Sequence, residues 1–104
     1  MITVKEINMV VEKIISGFRP QKIILFGSYA DGQPTNDSDL DLLIVKDSDL
    51  PRIERNRHVR RLLKNLYFPV DVFIKTPREY DRYKDVVGTV VYSADKYGKV
   101  IYGE

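Results

Sequence analysis

The chain has 104 residues, no cysteine, one histidine and a formal net charge of +2. That length suits one hydrophobic core, so residues 1–104 are read as a single domain. The missing cysteines exclude disulfides and thiolate metal centres, and so small a charge argues against a nucleic-acid partner. With 43% apolar and 31% charged residues the composition is that of an ordinary globular protein, and no apolar run is long enough to span a bilayer. Lys5, Glu6, Glu12 and Lys13 interrupt the apolar residues of the N-terminus, which is unlike a secretory signal, and the expected location is cytoplasmic.

Val4, Ile7, Val10, Val11, Ile14, Ile15 and Phe18 recur at three- and four-residue steps, and Thr3 with Glu6 forms a capping-box pattern. An amphipathic helix is expected there, ended by Gly17 and Pro20. Lys22–Phe26 reads as a short buried strand that runs into a Gly27-Ser28 turn, and a second strand is expected from about Leu40 to Val45. Between them, Asp31 to Ser38 is dense in turn formers and predicts a surface loop. Asp49, Leu50 and Pro51 suit a helix entry, with Ile53, Val59, Leu62, Leu63 and Leu66 as the apolar stripe of a basic second helix. Val70–Ile74 has the alternation of a third strand, and Thr76-Pro77-Arg78-Glu79 opens another helix with capping-box chemistry. Gly88 divides two terminal helices, Gly98 fits a helix stop, and Lys99–Tyr102 predicts a short edge strand. The fold class is therefore α/β, a small mixed sheet flanked by helices.

Side chains alternate across a strand, so Asp39 and Asp41 share one face, their Cα atoms roughly 6.5 to 7 Å apart. Leu40 and Leu42 take the other face. Should the third strand neighbour the second, Asp71 joins the same two acids. Clustered carboxylates repel one another unless a cation joins them, and a set of oxygen ligands with room for phosphate and water suits Mg²⁺. Gly27 permits a tight turn and close ligand approach, and Ser28 offers a hydroxyl and an N–H where a triphosphate could rest. Taken singly, Gly-Ser is a turn and Asp-x-Asp a solvated strand end; it is their order, joined by strands, that points to a nucleotide site.

Two other motifs fail on their own residues. A P-loop needs lysine where Gln33 stands, and an EF-hand starting at Asp37 needs glycine at Leu42 and glutamate at Ser48.

With Gly27-Ser28, ten residues and then Asp39-Leu40-Asp41, the chain resembles a minimal nucleotidyltransferase of the DNA polymerase beta superfamily, close to the antitoxin half of HEPN–MNT toxin–antitoxin pairs. The resemblance covers nearly the whole chain and implies the polymerase-beta-like palm fold. It implies that Asp39, Asp41 and Asp71 are catalytic and hold two Mg²⁺ ions. It also implies that Gly27, Ser28 and Ser38 contact ATP. The partner implied is a HEPN-domain toxin, neutralised by transfer of AMP to one of its tyrosines. Asp31 departs from the family's usual arginine. Simple binding to the toxin is the alternative reading.

The basic run Arg52, Arg55, Arg57, His58, Arg60, Arg61 and Lys64 reads as a solvated helix face or a partner contact, with no role assigned to His58. Tyr80, Tyr83, Tyr92, Tyr97 and Tyr102 read chiefly as packing residues.

Overall fold

A computed structural model of the chain describes residues 1–103. It contains helix α1 (Val4–Phe18), strand β1 (Lys22–Phe26), the single turn α2 (Ser28–Asp31), β2 (Leu40–Val45) and α3 (Arg52–Leu62). The remaining elements are β3 (Val70–Lys75), α4 (Pro77–Tyr83), α5 (Val90–Tyr97) and β4 (Lys99–Tyr102). The sheet runs in the order β3-β2-β1-β4, with β2 antiparallel to β1 and parallel to β3. This is the mixed sheet and flanking helices that the sequence leads one to expect.

Alternation along the two central strands sorts the core into two layers. Ile23, Leu25, Leu40, Leu42 and Ile44 join Val10, Val11, Ile14 and Phe18 of α1 and Val59 of α3. Ile24, Phe26, Leu43 and Val45 point the opposite way, to Tyr80 of α4 and to Val91 and Ala94 of α5. Because β1 and β2 are covered on both faces, they read as continuous apolar runs.

Both predicted capping boxes form. Thr3 Oγ1 accepts from the Glu6 N–H at 3.1 Å, and Thr76 Oγ1 accepts from the Glu79 N–H at 3.1 Å. Gly17 does not end the first helix: α1 continues through Phe18 and closes on Arg19, which takes φ 51°. The glycine serves packing instead, since a Cβ there would lie 2.3 Å from Leu62 Cδ2 of α3.

The expected stripe of α3 is also revised. Ile53 is 65% exposed, and α3 stops at Leu62 rather than carrying on towards Leu66. Arg55, expected on the solvated basic face, is 6% exposed. Its Nη1 donates to Glu79 Oε1 at 2.9 Å, and the same oxygen accepts from the Thr76 N–H at 2.8 Å. One carboxylate thus caps α4 and ties it to α3 across the end of β3. The Arg55 guanidinium, with helping hydrogen bonds at Thr76, holds the Glu79 carboxyl at about 2 against an ordinary 4.5.

A carboxyl lowered in the folded state stabilises the fold above its unfolded pKa, and that contribution is lost as pH falls through the folded value. Thermal unfolding of the wild type should therefore lose stability between about pH 4.5 and pH 2, and Glu79→Gln should flatten that limb. Arg55→Ala, which removes the buried guanidinium and leaves the half-buried Glu79 carboxylate unpaired, should cost about 1 to 3 kcal/mol in denaturant titration.

Candidate active site

The register of β2 against β3 sets Asp41 directly opposite Asp71, and the register of β1 sets Phe26 opposite Asp41. Asp39 lies two positions before Asp41, immediately ahead of β2, on the same face. Three acids therefore gather at one end of the sheet, where the face shared with Leu43, Val45 and Phe73 runs beyond the cover of α4 and α5. Asp39 and Asp71 are exposed and Asp41 is half-buried, so the sheet brings the predicted carboxylates together and leaves them open to a ligand.

Partial burial and mutual repulsion both act on the carboxyls of Asp41 and Asp71. The Asp41 carboxyl is raised, first by partial burial and then by the charges of Asp71 and Asp39. Asp71 is raised first by desolvation and then by a hydrogen bond and charge from the neighbouring Asp39. Among the described residues no three acidic, imidazole or thiol groups already stand in an arrangement that would hold a metal ion. The donor set is carboxylate oxygen alone, with no cysteine anywhere in the chain, and a hard divalent cation fits it by offsetting the repulsion.

Gly27 closes the other side of this site. Its backbone (φ 77°, ψ −156°) lies in a region that only glycine occupies readily, and a Cβ there would stand 2.4 Å from Asp41 Oδ2. The turn therefore needs glycine twice over, for its torsions and for the carboxylate beside it. From Gly27 the chain enters α2, where Ala30 N–H and Asp31 N–H donate to Gly27 O at 3.0 and 3.1 Å. Tyr29 anchors that turn, its hydroxyl accepting from the Ile2 N–H at 2.8 Å.

Ser38, which the motif implies as an ATP contact, is also engaged within its own loop. Its Oγ accepts from the Thr35 N–H at 2.8 Å, and its own N–H donates to Thr35 O at 3.1 Å. These bonds fold the loop that delivers Asp39 to the head of β2. Asp31 is exposed, with Oδ1 accepting from the Gln33 N–H at 3.1 Å.

The weaker candidates settle elsewhere. His58 packs edge-on against Phe18, ring centres 5.1 Å apart. Tyr80 is buried with its hydroxyl on Asp95, whereas Tyr97 is 73% exposed, so the C-terminal tyrosines do not share one packing role. Arg55 is the structurally important residue that the sequence hid; the four-residue rhythm from Pro51 through Arg55 to Val59 put it on the inward side.

The profile of the family described as nucleotidyltransferase domain matches residues 5–102. A Methanocaldococcus jannaschii protein that bears the provisional name protein adenylyltransferase is 64% identical over 31 residues, 30% of this chain and 31% of the relative. The match thus spans about a third of that relative's length. Among solved structures, a toxin-antitoxin with AMP-PNP superposes with a TM-score of 0.66 at 23% identity, covering 93% of this chain and 73% of that one. A variant of the MntA-HpeT toxin-antitoxin gives 0.64 at 22% identity over 93% and 73% of the two chains. A provisionally named nucleotidyltransferase from Sulfolobus solfataricus gives 0.68 at 23% identity over 96% and 79%. At these identities the solved structures speak for the fold alone. No helix among the described residues is long and apolar enough to cross a membrane.

Gly27 and Gly32 separate torsional strain from contact. Gly32 has φ 82° with open space where a Cβ would go, so Gly32→Ala should cost about 1 kcal/mol. Gly27→Ala meets both penalties and should cost about 2 to 3 kcal/mol. Urea denaturation of the two variants checks this; equal costs would mean that the Asp41 carboxylate yields freely.

Proposed function

The chain belongs to the nucleotidyltransferase domain family, and from that membership we propose that it transfers AMP from ATP to a hydroxyl on a HEPN-type toxin, most simply a tyrosine, and so acts as the antitoxin. The observation that carries this reading is the parallel register that pairs Asp41 with Asp71, beside a turn whose glycine touches Asp41.

In this reading Asp39 and Asp41 hold Mg²⁺ and Asp71 completes the set. Bound Mg²⁺ supplies positive charge to the phosphates as negative charge builds on the leaving group. Gly27, lacking a side chain, lets the triphosphate approach the backbone, and Ser28 offers its hydroxyl at the start of α2. Ser38 acts indirectly, by shaping the loop ahead of Asp39. The acceptor oxygen forms a bond to the α-phosphorus while the bond to pyrophosphate breaks in line, and the hydroxyl proton passes to solvent. The three acids position the reactants; the arrangement holds no histidine or cysteine that would serve as a nucleophile. A reaction fed by ATP fits a cytoplasmic setting.

Asp31 favours a second reading, neutralisation by binding alone. An exposed anion at the end of α2, beside the phosphates, disfavours nucleotide, and Asp31→Arg should tighten ATP binding and raise the transfer rate.

Intact-mass spectrometry of a co-purified HEPN partner, after incubation with ATP and Mg²⁺, tests the proposal. The partner should gain one or more AMP units, and Asp39→Asn with Asp41→Asn should slow the gain at least a hundredfold, in keeping with loss of charge stabilisation at the phosphates. Protection of cells by that double variant at the wild-type level, with no mass gain for either protein, would establish the binding reading instead.

A further inference from the structure

β3 is an edge strand. Leu40 N–H donates to Pro69 O at 3.1 Å and Lys46 N–H to Lys75 O at 2.9 Å. Odd-numbered residues of β3 thus turn their backbone groups toward β2, and alternation turns those of Val70 and Val72 toward the open edge. The blunting devices of that edge stand at its ends, Pro69 just before the strand and Lys75 at its last position, and no proline or bulge interrupts it between Val70 and Ile74.

A cavity of about 370 Å³ lies along the same edge. Its walls include Arg60 of α3, Leu63 just past the end of that helix, Phe68 of the following loop, and β3 from Val70 to Ile74, with Asp71 among them. The groove mixes apolar side chains with the polar Asn56 and Arg60, and it reaches the acid site at Asp71. Its α3 rim is cationic. Arg55 pairs with Glu79 and Arg57 with Glu54, while among the described residues Arg60 and Arg61 have no carboxylate partner.

We propose that the open edge of β3 binds an extended, acidic segment of the protein acceptor as an added strand. Backbone pairing at Val70 and Val72 would hold it, and α3 would face its carboxylates. A strand added there lies about 4.8 Å from β3, and a residue opposite Asp71 presents its side chain on the face that Asp39 and Asp41 share. The acceptor hydroxyl is thereby carried to the acids by register, and recognition is a matter of main-chain pairing and charge. The inference rests on the transferase reading for the acceptor's fate but not for its docking.

The probe is a capped peptide alternating valine with aspartate and carrying a central tyrosine, added to the full chain and followed by amide hydrogen exchange. Exchange at Val70 and Val72 should slow, while the β4 amides at the opposite edge should not. Val72→Pro removes an outward N–H without taking a bond from the sheet, and should weaken peptide binding tenfold or more. Arg60→Glu should weaken it similarly and erase its salt dependence, and both variants should bind ATP as the wild type does. The proposal is overturned by protection along β4, by peptide binding that both variants retain, or by protection of Val70 and Val72 that rises with chain concentration alone, which would make a second copy the occupant. Intact peptide docking without AMP transfer would instead sink the transferase reading and leave this surface standing.

Discussion

Repulsion among three carboxylates is the constraint around which the rest of the molecule is arranged. Left to itself, such a cluster would spread apart or take up protons, and the carboxyls of Asp41 and Asp71 are raised first by desolvation and then by this repulsion. The sheet prevents the spreading: Asp41 and Asp71 are fixed opposite each other by a six-residue parallel ladder. Leu40, Leu42, Leu43 and Ile44 show no exposure at all, so sliding β2 by one residue would turn buried leucines to solvent and aspartates into the core. Hydrophobic burial thus holds an electrostatically unfavourable grouping in place, and in the proposed function a cation would relieve it.

The same economy appears at the other end of β3. Parallel strands require a crossover, and α3 provides it between β2 and β3. Arg55 and Glu79 then lock the exit of β3 to the entry of α4. This ion pair is more buried than a surface pair, and its value lies in fixing where β3 ends rather than in stability alone. Because β3 carries Asp71, whatever fixes β3 also fixes the third acid.

Much of this was legible in the residues. The strands announced themselves as apolar runs bounded by Gly27 and by the turn-forming loop of residues 31–38, and Thr3 and Thr76 marked two helix starts by local chemistry that tertiary contacts did not override. The acid cluster followed from alternation once β3 was taken to neighbour β2. The errors came where packing outweighed local signals. Gly17 looked like a stop but makes room for Leu62, which no local rule can see. Arg55 looked solvated because arginine usually is, and only the position of Glu79 in space explains its burial. The bond from the Thr35 N–H to the Ser38 hydroxyl was likewise beyond the motif, which speaks only of a ligand. The open edge of β3 could not be read at all, since strand order is a property of the sheet and not of any segment.

The claim on which the account turns is that Asp39, Asp41 and Asp71 form one divalent-cation site beside Gly27. A crystal grown with Mn²⁺ and a non-hydrolysable ATP analogue, with anomalous scattering used to locate the metal, tests it most directly. The account predicts a manganese peak bound by Asp39 and Asp41, with Asp71 turned toward it and the phosphates lying over the Gly27-Ser28 turn. Manganese bound elsewhere, or held without any of these carboxylates, would contradict it.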